Sequence, residues 1–345
     1  MRAISCIMII GVHIAADKFE KVSAVTSTWR IISTYDGFFL LGVPLFFMMS
    51  GALILQPSYQ VTIQKMISKA VRLILFYYGG NFCFNLIPFF TGTYAFSASD
   101  IWNFLIRRTL QGKGTYHLWF LPGLALIYLL VPLVKDALQD TNTCRYVIVI
   151  FIVFGGLIRV LTQYRFPGAT MFHHIKSIMD ESALTGYFGY FVLGHYINRF
   201  VSKEKLYQKR LLLGLLFLVG MTWMAVASAL DALHTGTASS ILTSPLMLPA
   251  MLSSASIFAV YKSLVNRVHF AFLAKISFGV YLIHPAAILV FEALGMNTLK
   301  PTPLIAIPMY TLLVYLSCLI VVWPIYSVMR IMKEKRMQAT NKKNS

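Results

Sequence analysis

Acidic residues are scarce in this 345-residue chain: 12 Asp and Glu stand against 30 Lys and Arg, and charged residues together make up only 12%. A water-soluble domain carries about a quarter, so an ordinary soluble enzyme and a disordered chain are both excluded. Cysteine is also sparse. Cys6, Cys83, Cys144 and Cys318 lie far apart with no CxxC spacing, which excludes a disulfide framework and a zinc site. No run of Gly, Ser or Pro is long enough to be a linker, so residues 1–330 read as one membrane domain followed by a basic tail over 331–345. What abounds is apolar: 58% of residues are hydrophobic and the mean hydropathy is +0.70. The formal charge of +18 would point a soluble protein toward nucleic acid. In a chain this apolar it points to the cytoplasmic face of a bilayer instead, and no nucleic-acid partner is expected.

Arg2 followed by the apolar run Ala3 to Ala16 has the look of a secretory signal. His13 interrupts that run, and nearly everything after it is equally membrane-like. Apolar stretches near bilayer-crossing length fall at 2–16, 35–56, 70–90, 118–134, 145–162, 184–201, 210–230, 240–261, 270–294 and 303–329. The pattern predicts an all-α integral membrane protein with about ten transmembrane helices. Orientation follows from the basic residues, since short cytoplasmic loops collect Lys and Arg. With both termini cytoplasmic, nineteen of the 30 basic residues lie inside and ten outside, with Arg2 at the membrane edge. Between spans, residues 97–112 predict a short interfacial helix, capped by Ser or Asp and stopped at Gly112. Residues 163–183 form a polar outer loop suited to a polar ligand.

Ionisable groups at membrane depth cost at least about 2.5 kcal/mol each and usually face a cavity. Here they are His13, Asp36, Arg72, Arg159, His195, His284 and Glu292. His13 follows Arg2 by eleven residues on one helix, about 16 Å along the axis. A cation at the membrane edge and an imidazole deeper in suit a long donor whose phosphates stay at the edge while its reactive end reaches inward. Imidazole is the usual side chain for taking a proton from a hydroxyl near neutral pH. The alternative is a histidine that hydrogen-bonds a neighbouring helix. Asp17, one turn on, either orients the His13 ring or is simply solvated. Lys69 and Arg72, three apart, share a helix face and form either a phosphate clamp or a topology anchor. His173-His174 is a surface loop pair rather than a metal site, because adjacent helical residues diverge and no carboxylate follows at i+4. On the residues alone a membrane enzyme competes with a transporter or flippase using His13, Asp36 and Glu292, although no repeat relates the two halves. A sensor or assembly subunit is a third class, and it predicts that His13 is replaceable.

Five segments, in order, resemble the membrane-bound acyltransferase-3 family that O-acylates cell-envelope glycans. They are Arg2 to His13 with ten residues between; Gly42-Val43-Pro44-Leu45-Phe46-Phe47 running to Ser50-Gly51-Ala52-Leu53; Lys69-Ala70-Val71-Arg72; His117-Leu118-Trp119-Phe120-Leu121; and Ser277-Phe278-Gly279-Val280-Tyr281-Leu282-Ile283-His284-Pro285. The resemblance implies a multi-pass enzyme of the bacterial inner membrane. It implies cytoplasmic acetyl-CoA as co-substrate, no resident cofactor or metal, and a glycan or lipid-linked glycan as acceptor. It assigns His13 as general base and Arg2, Lys69 and Arg72 to the donor's phosphates or to organising the pore. Asp17, Asp36, Ser50, His117, Trp119, Tyr281 and His284 are expected to line the site. For His117 and Trp119 the alternative is the interfacial aromatic belt, and for His284 a helix-packing hydrogen bond. The sequence departs from the family pattern where Lys69 replaces an Arg, which keeps the charge but loses the bidentate fork, and where Ala3 replaces a Gly.

Overall fold

The computed structural model describes residues 1–90, 98–113, 117–163, 171, 186–240, 242–264 and 271–344, and every longer regular element among them is helical. In chain order these are α1 (Arg2–Ala16), α2 (Ser27–Leu40), α3 (Gly42–Ile54), α4 (Ile63–Phe90), α5 (Ala98–Leu110), α6 (Phe120–Val134) and α7 (Thr141–Ile150). A π-helical stretch, Phe151–Leu157, carries α7 into α8 (Ile158–Leu161). Then come α9 (Tyr187–Phe200), α10 (Lys203–Gln208), α11 (Arg210–Thr235), α12 (Leu248–Leu264), α13 (Ala271–Ala293) and α14 (Pro303–Asn344). The polar loop expected at 163–183 lies almost wholly outside the described residues, as does Ser97, and the side chains of Ser99 and Asp100 are likewise undescribed.

Among the described residues six stretches are long and apolar enough to cross a bilayer: Ser27–Ile54, Ile63–Ile87, Thr141–Leu161, Arg210–Thr235, Phe272–Ala293 and Pro303–Met332. Arg2–Ala16 and Phe120–Val134 are apolar but shorter. The runs expected at 184–201 and 240–261 fall on α9, of 14 residues, and α12, of 17. Local chemistry explains where the boundaries move. The run expected from residue 35 begins at Ser27, because the Thr26 side chain accepts from the Trp29 N–H at 3.1 Å and caps the helix. It breaks at Leu41, since Pro44 cannot donate to the carbonyl four residues back and its ring crowds that carbonyl. α12 starts only at Leu248, placing Pro249 in the first turn where a missing N–H is tolerated. α14 runs on to Asn344, through the residues expected to form a separate tail; they are rich in Lys, Arg, Met and Gln, all good helix formers.

The helices gather into two compact units, Met1–Phe46 with Ser202–Ser345, and Phe47–Val201. In the first, α1 packs on α2, α13 and α14, while α11 packs on α12 and α2. In the second, α4 packs on α6 and α5, and α9 packs on α7. There α3 crosses α9 with backbones nearly touching: a Cβ on Gly51 would sit 1.8 Å from the Phe191 carbonyl oxygen, and one on Gly194 2.0 Å from that of Met48. Only glycine fits at such a crossing. Outward, α11 carries an open row of leucines, with Leu211 78% exposed. Soluble surfaces avoid apolar rows of this length, whereas lipid is their natural solvent.

Candidate active site

α1 holds Arg2 exposed at its start and His13 half-buried near its end. The His13 ring lies flat against that of His284 on α13, with centroids 5.3 Å apart and planes 15° from parallel. His284 is fully buried, and the reason for its orientation is next to it in the chain. Pro285 has no N–H, so the Tyr281 carbonyl four residues earlier lacks its helical donor. His284 Nδ1 supplies that bond at 2.7 Å. A carbonyl only accepts, so Nδ1 carries the proton and, in the neutral ring, Nε2 carries the lone pair. Tyr281, also buried, tilts its ring to within 5.9 Å of His284. Three of the expected site residues, His13, Tyr281 and His284, thus meet in the first unit.

Asp17 stands at the end of α1, its carboxylate held by Lys18 Nζ at 2.6 Å and Lys21 Nζ at 2.7 Å. Partial burial pushes this carboxyl upward, but the hydrogen bonds and charges of Lys18 and Lys21 outweigh it and hold it below the ordinary carboxylate range. Asp36, on α2, is buried with its Oδ2 3.3 Å from Thr243 Oγ1, which is also 3.0 Å from the Ser240 carbonyl.

In the second unit Lys69 and Arg72 stand one turn apart on α4 in different surroundings. Lys69 is half-buried, its Nζ 5.3 Å from the Tyr59 ring centroid and 5.6 Å from that of Tyr128. Lys65 comes within 4.0 Å of the same Tyr59 ring. Burial raises the Tyr59 phenol, but hydrogen bonds and charge from Lys69 and Lys65 outweigh it and draw it below its ordinary value. Lys135 donates to the Tyr59 carbonyl, and Gln139 Nε2 to that of Leu55 at 3.0 Å, pinning this loop. Lys69 thus works with Lys65 around an aromatic ring, while Arg72 is exposed one turn on. The missed signal was Tyr59, an isolated aromatic in a polar loop.

Ser50 is buried on α3. His117 is buried edge-on to Phe84, with ring centroids 5.4 Å apart. Trp119 is 47% exposed and 5.3 Å from the Tyr187 ring, which stacks on Phe47 at 4.7 Å. Tyr187 had no motif to mark it. A second unflagged cluster ties α5 to α4: Arg108 Nε donates to Asn85 Oδ1 at 3.2 Å, and Asn85 Nδ2 to Thr109 Oγ1 at 3.4 Å. α5 ends at Leu110, with Gly112 just beyond in the left-handed region at φ 65°. His195 is structural: buried on α9, it bonds the Leu138 carbonyl through Nε2 at 3.1 Å. Among the described residues no three His, Cys, Asp or Glu side chains gather as a metal site would need.

With this geometry in view, comparison by family assigns residues 1–327 to an acyltransferase domain of the acyltransferase-3 type. The chain belongs to the acyltransferase-3 family. Neither the curated proteins nor the solved structures contain a match. Membership over nearly the whole length, together with six bilayer-length apolar helices, makes this a multi-pass membrane acyltransferase. Its family span reaches into both units and includes every candidate site residue named above.

Proposed function

We propose that the protein is a membrane O-acetyltransferase of the bacterial inner membrane. It moves an acetyl group from cytoplasmic acetyl-CoA to a sugar hydroxyl of a cell-surface polysaccharide or its lipid-linked precursor. The observation that carries this reading is the His13–His284 stack inside a family of acyltransferases. His284 is locked by the backbone bond that Pro285 cannot make. A half-buried imidazole lying flat on a locked one is held in a fixed orientation, as a general base needs.

The chemistry balances without a metal or an external oxidant. The acceptor hydroxyl gives its proton to the His13 imidazole while its oxygen bonds the thioester carbon. The C–S bond then breaks, and the CoA thiolate takes the proton from the imidazolium. An acyl-imidazole on His13 would reach the same products in two steps. Arg2 is assigned to donor phosphates in the first unit, and Lys69 and Arg72 carry the same assignment in the second. Both termini lie in the cytoplasm in this reading, as the basic residues favour. Ser50, His117 and Trp119 are assigned to the lining, with Trp119 offering its exposed ring to a sugar face. Asp36 is assigned to the lining from its depth in the membrane. Enterobacterial common antigen is the acceptor proposed within this class, and so the glycan to supply first.

The test is release of CoA thiol from acetyl-CoA by membranes carrying wild type or His13→Ala at matched expression, with an envelope-glycan extract as acceptor. Turnover by wild type and a loss of about 10² to 10⁴-fold in the variant is expected for a proton-transfer residue. Equal turnover in the two would remove His13 from the chemistry.

A further inference from the structure

Near the end of its apolar part, Pro303–Met332, α14 meets the start of α13 at a groove of about 210 Å³ lined by Phe272, Trp323, Tyr326, Ser327, Arg330 and Ile331. We propose that this groove binds the headgroup end of an anionic phospholipid. Its depth in the bilayer follows from length. The apolar part of α14, Pro303–Met332, has 30 residues, about 45 Å of helix against a hydrocarbon core of about 30 Å. A helix this much longer than the core extends into the headgroup layer, and Trp323 and Tyr326 mark this end, since such rings settle there. Three aromatic rings and Ile331 give the groove an apolar wall for the first carbons of an acyl chain.

The rim supplies the charge. Arg330 donates through Nε to Glu334 Oε1 at 2.9 Å, an exposed pair in which the two terminal nitrogens have no partner among the described residues. Lys275 is exposed one turn from Phe272. The chain beyond Arg330 adds Lys333, Lys335, Arg336, Lys342 and Lys343 against Glu334 alone. A phosphodiester with no compensating cation fits this field, since guanidinium forks match phosphate oxygens. A choline headgroup brings a second positive charge to the same guanidinium and is disfavoured. The volume suits a glycerol phosphate and the chain carbons next to it, so affinity comes from the headgroup and selectivity from its charge. This site is independent of the acyl-transfer reading.

The test is lipid retention by the purified full chain in detergent, read by native mass spectrometry with phosphatidylglycerol or phosphatidylcholine added at equal concentration, and by thermal melting with inorganic phosphate as the third probe. Phosphatidylglycerol is expected to be retained over phosphatidylcholine. Arg330→Gln is expected to weaken phosphatidylglycerol binding about fivefold, the attraction of one surface cation. Glu334→Gln, which removes the competing carboxylate, is expected to strengthen it. Equal retention of the two lipids would overturn the proposal. So would phosphatidylglycerol binding unmoved by both variants, or a melting shift that inorganic phosphate reproduces alone.

Discussion

Removing the His284 ring exposes what it does for the helix as well as for any reaction. In His284→Ala the Tyr281 carbonyl loses the 2.7 Å bond from Nδ1 and, with Pro285 still in place, gains no backbone donor. A buried acceptor left unpaired costs about 1–3 kcal/mol, to which the space vacated by a fully buried ring adds. Pro285→Ala restores a backbone N–H at the position that serves Tyr281. In the double variant His284→Ala/Pro285→Ala the carbonyl is satisfied again, so stability should recover by about 1–2 kcal/mol more than the two single changes sum to. The measurement is thermal or denaturant unfolding of all four proteins in the same detergent, analysed as a double-mutant cycle. A coupling within about 0.5 kcal/mol of zero would refute the assignment of the His284 proton. Acetyl transfer separates the two roles of the ring. If His284 positions His13, turnover stays low in the double variant although the helix is repaired; full recovery would reduce His284 to a helix pin.

Other expectations follow from the same geometry. Lys69→Ala with Arg72→Ala should raise the KM for acetyl-CoA several-fold with little change in kcat, measured by thiol release, and an unchanged KM would return both residues to topology anchors. Gly194→Ala drives a methyl to 2.0 Å from the Met48 carbonyl, so unfolding should show a loss of at least about 1–3 kcal/mol, whereas Gly79→Ala, with nothing within 4 Å, should be neutral or stabilising. Asp17 has a folded pKa below its unfolded value, so its ion pairs contribute stability that is present above the unfolded pKa and lost as pH falls through the folded one. Melting between pH 3 and pH 6 should therefore show a smaller acid-side decline in Asp17→Asn than in wild type.

Much of this was legible residue by residue. Hydropathy placed a helix at each of the apolar runs, because lipid demands an apolar side chain at nearly every position of a spanning turn and the backbone must satisfy itself. The motif Arg2 to His13 and the Tyr281-to-Pro285 segment were readable as strings, and with them the family. The boundaries that moved are those where a cap or a proline acts against the hydropathy pattern, as at Thr26, Pro44 and Pro249. Lys69 was paired with Arg72 by spacing, yet the ring that engages it is Tyr59, which a single-helix periodicity cannot see.

The sequence by itself determined the solvent, the element type and the family, since each depends on composition or on residues close together in the chain. Only the tertiary structure decided that His13 of the first helix lies flat on His284, 271 residues later. It also decided that Trp119 meets Tyr187. Those pairings depend on which helices pack and at what rotation. Within the second unit, close approaches such as Gly51 on Phe191 and Gly194 on Met48 fix how α3 and α9 meet, because one missing methyl lets two backbones touch.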